Sequence, residues 1–209
     1  MLVQVSEDVS LTFGTLLLRR RITSLLSRHT ELAELAIAMR AKETGIVRSN
    51  AGGWHSSGNL FAEKNAAVAE LAEHVHAASK HISILARQLN KTDVAFRETL
   101  HGWFNVNDKY DYNIAHYHPG TTWSGVYYIQ VGQDHPDHPL AGQIEFVDPR
   151  TRCEIGPNYG VSHAGVVRIK PEPGWLLVFP SYLEHYVHPH FGDAPRINIA
   201  FNCLVQELA

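Results

Sequence analysis

The chain has 209 residues, 44% hydrophobic and 19% charged, which is enough length and apolar content to bury a core. A formal charge of −3 lacks the basic bias of nucleic-acid binders, so no nucleic-acid partner is expected. The two cysteines, Cys153 and Cys203, build neither a disulfide framework nor a zinc-type cluster and suit a reducing compartment.

Near the start, the apolar run Leu16-Leu17-Leu18 stops at Arg19-Arg20-Arg21, far short of the ~20 residues of a spanning helix. Glu7 and Asp8 stand where a signal peptide would be basic, so a cytoplasmic protein without a membrane partner is expected. Residues 2–18 predict one or two short strands. From Ile22 to Arg40, apolar residues such as Leu25, Leu32, Leu35, Ala36 and Met39 recur at helical steps, and Thr44-Gly45 reads as the stop. The Gly- and Ser-rich stretch 45–60 predicts a loop. Its Trp54 and His55 either line a pocket or tuck onto the core. A second helix is predicted from Asn65 to Leu89, with Leu71, Val75, Ala78, Ile82 and Leu85 on one stripe. Its His74, His76 and His81 read as solvated.

After Asn90 the texture changes to short aromatic and β-branched runs bounded by Gly, Pro, Asn or Asp. Eight strands are predicted: 94–107, 112–118, 125–131, 143–147, 166–170, 175–179, 185–191 and 196–205. Without helices between them, they argue for an antiparallel double-sheet roll or barrel, α+β but mainly β. With no linker or repeat, a mostly helical part (1–93) and a β core (94–209) are expected to form one domain, the helices on one outer face.

Fourteen histidines is the outlying count, and imidazole is a common transition-metal ligand. Strand alternation puts Tyr112, Ile114, His116 and His118 on one face, just before the stop at Pro119-Gly120. His185 opens a later strand and is the candidate third ligand. In a chain so rich in histidine, the competing reading is ordinary surface or core residues. In Arg196-Ile197-Asn198-Ile199-Ala200-Phe201, alternation sets Arg196, Asn198 and Ala200 against one layer. An arginine turned inward needs a carboxylate, and its planar fork suits one; the alternative is a rim arginine paired with Asp193. Three other sets stand apart. The prolines of Asp134-His135-Pro136-Asp137-His138-Pro139 make it a solvated loop, odd offsets turn His188 and His190 away from His185, and His163 has no clear place.

These residues sit in a wider pattern. Trp103-Phe104-Asn105, Asp111-Tyr112-Asn113, His116-x-His118-Pro119, Ser124-Gly125-Val126-Tyr127-Tyr128, Asp148-Pro149-Arg150, Pro173-Gly174, Leu177-x-Phe179-Pro180-Ser181, His185 and Arg196-Ile197-x-Ile199-x-Phe201-Asn202 follow in order. Over roughly residues 100–203, this resembles the bacterial and phage 2OG-Fe(II) oxygenase family, and the 49–56 loop is also similar. The resemblance implies a double-stranded β-helix (a jelly-roll, cupin-like fold) that uses Fe(II), 2-oxoglutarate and O2 to oxidise a small-molecule or peptide substrate, and it leaves a homo-oligomer open. It implies His116, His118 and His185 as metal ligands, and Arg196 on the distal carboxylate of 2-oxoglutarate with Tyr128 and Asn198. Tyr128 is chosen over Tyr127 on resemblance alone.

The chain departs from the wider superfamily at His118, where most members carry Asp or Glu. A carboxylate from elsewhere is the alternative third ligand, with Glu145 the first suspect. The competing enzyme class is a metal cupin that does not use 2-oxoglutarate. Cupins follow their HxH with a glutamate about four residues on, where this chain has Thr122 and Trp123.

Overall fold

Apolar residues spaced by two along the β segments and by three or four along two helices build a three-layer arrangement of helices, sheet and sheet. The computed structural model describes residues 2–4, 10–12, 14–90, 95–150 and 165–208; Cys153 and His163 lie outside them. Strands β1 (Leu2–Gln4) and β2 (Ser10–Thr12) pair with each other. β3 (Leu18–Arg21) leads through a 3-10 turn at Ser24–Arg28 into α1 (His29–Lys42). Two very short strands, β4 (Asn50–Ala51) and β5 (Trp54–His55), precede α2 (Ala66–Asn90). Then come β6 (Phe96–Asn107), β7 (Tyr112–His116), β8 (Trp123–Gln130) and β9 (Ile144–Val147). β10 (Val166–Ile169), β11 (Trp175–Pro180), β12 (His185–Val187) and β13 (Arg196–Glu207) complete the described chain.

The eight expected strands are all present, although β7 and β12 are shorter than their patterns suggested. They form a six-stranded sheet in the order β3-β11-β8-β13-β6-β5 and a five-stranded sheet in the order β10-β9-β12-β7-β4. Two expectations need correction. The first helix does not start at Ile22: a 3-10 turn comes first, and α1 ends at Lys42, before Thr44-Gly45. The 45–60 stretch is not all loop, since β4 pairs with β7 in one sheet and β5 with β6 in the other. Two-residue strands are too short to show any period, but these two tie the sheets together at one end.

Both helices lie on the outer face of the six-stranded sheet. Leu32 and Ala36 of α1, with Leu71, Val75 and Ile82 of α2, share one buried cluster with Phe104, Tyr127, Ile199 and Phe201. Each of the large aliphatic and phenylalanine side chains among them contributes roughly 1.5–3 kcal/mol by leaving water. Asn65 caps α2, its side-chain oxygen accepting from the N–H groups of Ala67 (2.9 Å) and Val68 (3.0 Å). A second cluster, with Val126, Tyr128, Ile144, Phe146, Leu177 and Phe179, fills the space between the sheets. β13 divides between the two layers. Ile197, Ile199 and Phe201 face the helices, while Arg196, Asn198 and Ala200 face an open cavity between the sheets.

Strands β8 and β13 approach closely at Gly125, where a Cβ would overlap the Phe201 ring and the carbonyl oxygen of Leu177. A backbone oxygen cannot swing aside, so Gly125→Ala is expected to lower stability by about 1–3 kcal/mol. Urea denaturation checks this, and an unchanged midpoint would contradict the packing.

Candidate metal centre

Backbone register assembles the ligands. β12 lies antiparallel to β7 with His185 directly opposite His116, and a bulge follows before Val187 meets Asn113. His118 lies just past the end of β7, its N–H donating to the Ser181 carbonyl (2.9 Å). The donor nitrogens of His116, His118 and His185 lie within 4.8 Å of one another, the sole such group of potential metal ligands among the described residues. Nitrogens bound to one ion at roughly 2.1 Å sit closer than this, so the rings would have to turn inward to hold one.

The tautomers suit the task. A carbonyl can only accept, so His116 Nδ1–H donates to Ile114 O (2.7 Å) and His185 Nδ1–H to Leu183 O (2.9 Å). Each Nε2 thereby carries the lone pair that an ion would take, and at His116 an ion would displace the Ser49 hydroxyl that donates to it. Ser49 Oγ lies 3.2 Å from His116 Nε2. Burial, with the neighbouring imidazoles adding to it, pushes His118 down to about 4 and His185 down to about 3. His116 is also lowered, chiefly by burial. All three rings are therefore neutral at physiological pH, the form in which an imidazole could hold an ion.

Glu145, the first suspect for a carboxylate ligand, is not part of the cluster. It faces away from the cavity, where it accepts from His188 (3.1 Å) and pairs with Arg168. Among the described residues, no Asp or Glu lines the cavity, which measures about 840 Å³. Strict alternation along β7 is also corrected: the bulge buries Asn113, whose amide donates to Ser49 Oγ (3.3 Å), and leaves Tyr112 39% exposed. His188 and His190 stay off the site, and His190 hydrogen-bonds Ala194 O (2.8 Å). His138 stacks on Phe191 (3.6 Å) and His76 pairs with Glu98 (3.3 Å), and neither histidine lines the cavity.

Arg196 lies in the same cavity at 2% exposure, its guanidinium carbon 5.4 Å from the Tyr128 ring centroid. Asp193 is not its partner, because it pairs with Lys109 (2.8 Å). Arg196 Nε and the Tyr128 hydroxyl are buried without a well-formed hydrogen bond, although each affects the other's titration. Burial lowers Arg196 and pushes Tyr128 up to about 12. Asn198 Oδ1 accepts from Asn105 (3.1 Å). A buried cation without a counter-ion is costly, so this end of the cavity fits an anionic ligand. Tyr127 faces the helices instead and hydrogen-bonds His29 (2.8 Å).

Sequence reasoning missed most of the wall. Trp103 and Asn105 of β6, with Ser49 and Asn113, line the cavity. The available signal was Trp103, Asn105 and Asn107 alternating with the apolar Phe104 and Val106 at the end of the strand, a second face turned away from the helix-side core. The 45–60 question divides in two: Trp54 tucks onto the core, while His55 lines the cavity.

Residues 101–202 match the family described as "Putative 2OG-Fe(II) oxygenase". No curated protein matches the chain in sequence. Among solved structures, a prolyl-4-hydroxylase from Pseudomonas putida is 14% identical, with 90% of this chain and 91% of that chain covered at a TM-score of 0.57. A Trichoplax adhaerens prolyl hydroxylase, solved with a peptide fragment of the hypoxia inducible factor oxygen degradation domain, is 16% identical (92% and 84% covered, TM-score 0.57). HygX from Streptomyces hygroscopicus, solved with nickel, 2-oxoglutarate and hygromycin B, is 13% identical (90% and 82% covered, TM-score 0.54). Identities this low speak for the fold alone, which is the double-stranded β-helix expected from the sequence. No described helix is long and apolar enough to cross a membrane.

Protons compete with an ion only near or below the ligands' own pKa values. Because the folded values lie below the ordinary 6.5, affinity for Co(II) is expected to change less than about threefold between pH 7.5 and 6.0. Three imidazoles titrating normally would lose well over ~10-fold across that range. In the metal-free protein the sign follows the same shift. The unfolded chain takes up protons that the buried rings refuse, so stability falls as pH drops from 6.5 toward about 4. Calorimetric titration and thermal melts across pH check both statements.

Proposed function

The chain belongs to the 2OG-Fe(II) oxygenase family, and from that premise we propose that His116, His118 and His185 hold Fe(II) while Arg196, with Tyr128 and Asn198, seats 2-oxoglutarate. One observation carries the reading: three convergent neutral imidazoles share a cavity with a buried arginine, and among the described residues no carboxylate lines that cavity or pairs with that arginine. Neutral ligands leave the full charge of a divalent ion uncompensated, and the guanidinium adds another positive charge. A dicarboxylate answers both. When bound, Fe(II) supplies the redox chemistry that couples O2 and the oxidative decarboxylation of 2-oxoglutarate, giving succinate and CO2, to oxidation of a substrate C–H bond.

The residues do the rest. The Ile114 and Leu183 carbonyls fix the His116 and His185 rings, so that each Nε2 points to one place. Arg196 offers a planar fork to the far carboxylate of the cosubstrate, and burial strengthens that pairing by excluding water. Asn105 holds the Asn198 amide in position beside it. The Val126, Phe179 and Ile144 side chains make the surrounding wall apolar.

The substrate, we infer, is a small molecule or peptide, the two kinds held by the Streptomyces and Trichoplax structures. A reducing cytoplasm is the compatible setting, since iron must stay ferrous. We also treat the helical part (1–93) and the β core (94–209) as one domain, because α1 and α2 share a buried cluster with the six-stranded sheet.

Two substitutions separate the roles. His185→Ala is expected to abolish Fe(II) binding. Arg196→Ala is expected to retain iron but weaken 2-oxoglutarate by about 2–5 kcal/mol, the cost of breaking a buried charge pair. Isothermal titration with Fe(II), then with 2-oxoglutarate, reads each step. Equal loss of iron from both variants would contradict the division.

A further inference from the structure

The cavity has a second end that the cosubstrate does not use. Its mouth carries an exposed apolar collar, with Val47 83%, Tyr117 55% and Ile114 50% exposed. Trp103 lines the same cavity, 7% exposed, its ring 5.9 Å from His118 and stacked on His55 at 5.1 Å with 8° between the planes. His55 Nδ1–H donates to Ser56 O (2.7 Å), so its Nε2 is an acceptor. Arg48 lines the same mouth, and among the described residues its guanidinium has no ion pair or hydrogen bond. Glu184, which acts on His116 through space, is exposed and does not line the cavity.

Charge therefore divides unevenly over this protein. The whole chain is acidic at −3, yet the described cavity wall has two arginines, several imidazoles and no acid. A cationic substrate would meet Arg48 at the entrance and a metal ion inside. An anion with an apolar body meets complementary partners at both steps, and a one-signed cleft concentrates such ligands.

Building on the oxygenase reading above, we propose that the primary substrate is an organic acid whose carboxylate pairs with Arg48 at the mouth while a flat apolar part lies along Trp103. Arg48 and Trp103 are then substrate-positioning residues. The acid can be a free small molecule or an acidic residue within a peptide; the recognised chemistry is the same.

The test uses the full chain loaded with Ni(II) and 2-oxoglutarate, a pairing that binds without turning over. Calorimetry first measures 2-oxoglutarate binding. It then compares phenylacetate, 3-phenylpropionate, indole-3-acetate and N-acetylphenylalanine with their carboxamides, and acetyl-Phe-Asp-Gly-amide with its Asn counterpart. Acids are expected to bind at least about tenfold more tightly than their neutral partners, as a charge-assisted pair provides. Arg48→Gln should bring that ratio close to one and Arg48→Lys should keep part of it. Trp103→Leu should weaken acid and amide alike. Arg48 is exposed, so its variants are expected to fold. Preference for the peptide pair or for the free acids identifies the source, and either supports the proposal. Equal binding of acids and amides, no binding of any probe, or a preference that survives Arg48→Gln overturns it while leaving the cosubstrate reading intact. Failure of 2-oxoglutarate to bind the nickel-loaded protein overturns both.

Discussion

The antiparallel register between β7 and β12 is the constraint on which the site depends. Because His185 lies opposite His116, backbone hydrogen bonds rather than flexible side chains set the spacing of two imidazoles. A slip of one residue would turn one ring to the other face of the sheet and dissolve the cluster. The bulge just beyond that pair absorbs a mismatch in length, and it also turns Asn113 inward toward Ser49. The third imidazole is held differently. His118 has left the strand, and the Ser181 carbonyl in the turn before β12 fixes its backbone. The same short turn thus positions two ligands, His118 from one side and His185 by chain continuity.

β13 carries the corresponding burden on the opposite sheet. Its alternation places Ile197, Ile199 and Phe201 under the helices, so the strand cannot shift without opening the larger core cluster. That anchoring keeps Arg196 at 2% exposure although no anionic partner stands beside it among the described residues. Such a group is tolerated because the packing around it over-determines its position, and its unmet charge becomes affinity for whatever anion enters. Stability here is spent on readiness to bind.

Much of this was legible in the residues, for identifiable reasons. The β-rich half declared itself because each strand is bounded by Gly, Pro, Asn or Asp, and the period of β13 sorted Arg196 and Asn198 from Ile197 and Ile199. The roles of His116, His118, His185 and Arg196 rested on spacing and resemblance, and their convergence in one cavity supports them. What stayed hidden depends on geometry that no period encodes. The bulge in β7 broke the alternation, so Tyr112 was expected where Asn113 lies. β4 and β5 are two residues long and read as loop. Glu145 looked available as a ligand, and only its partners Arg168 and His188 reveal that it faces outward.

The outward turn of Glu145 bears on why three neutral ligands suit this cavity. A carboxylate ligand would cancel part of the ion's charge and weaken its hold on an anionic cosubstrate. With imidazoles alone, a bound ion and Arg196 would both present positive charge to an entering ligand, and the low-dielectric wall of Val126, Ile144 and Phe179 would limit screening. The same field extends to the mouth, where Arg48 and the neutral, acceptor-bearing His55 add no negative charge. Selectivity for anions would thus be a property of the whole cavity: among the described residues no acid stands beside the three imidazoles and Arg48 has no side-chain partner, and both act in the same direction on any ligand that approaches.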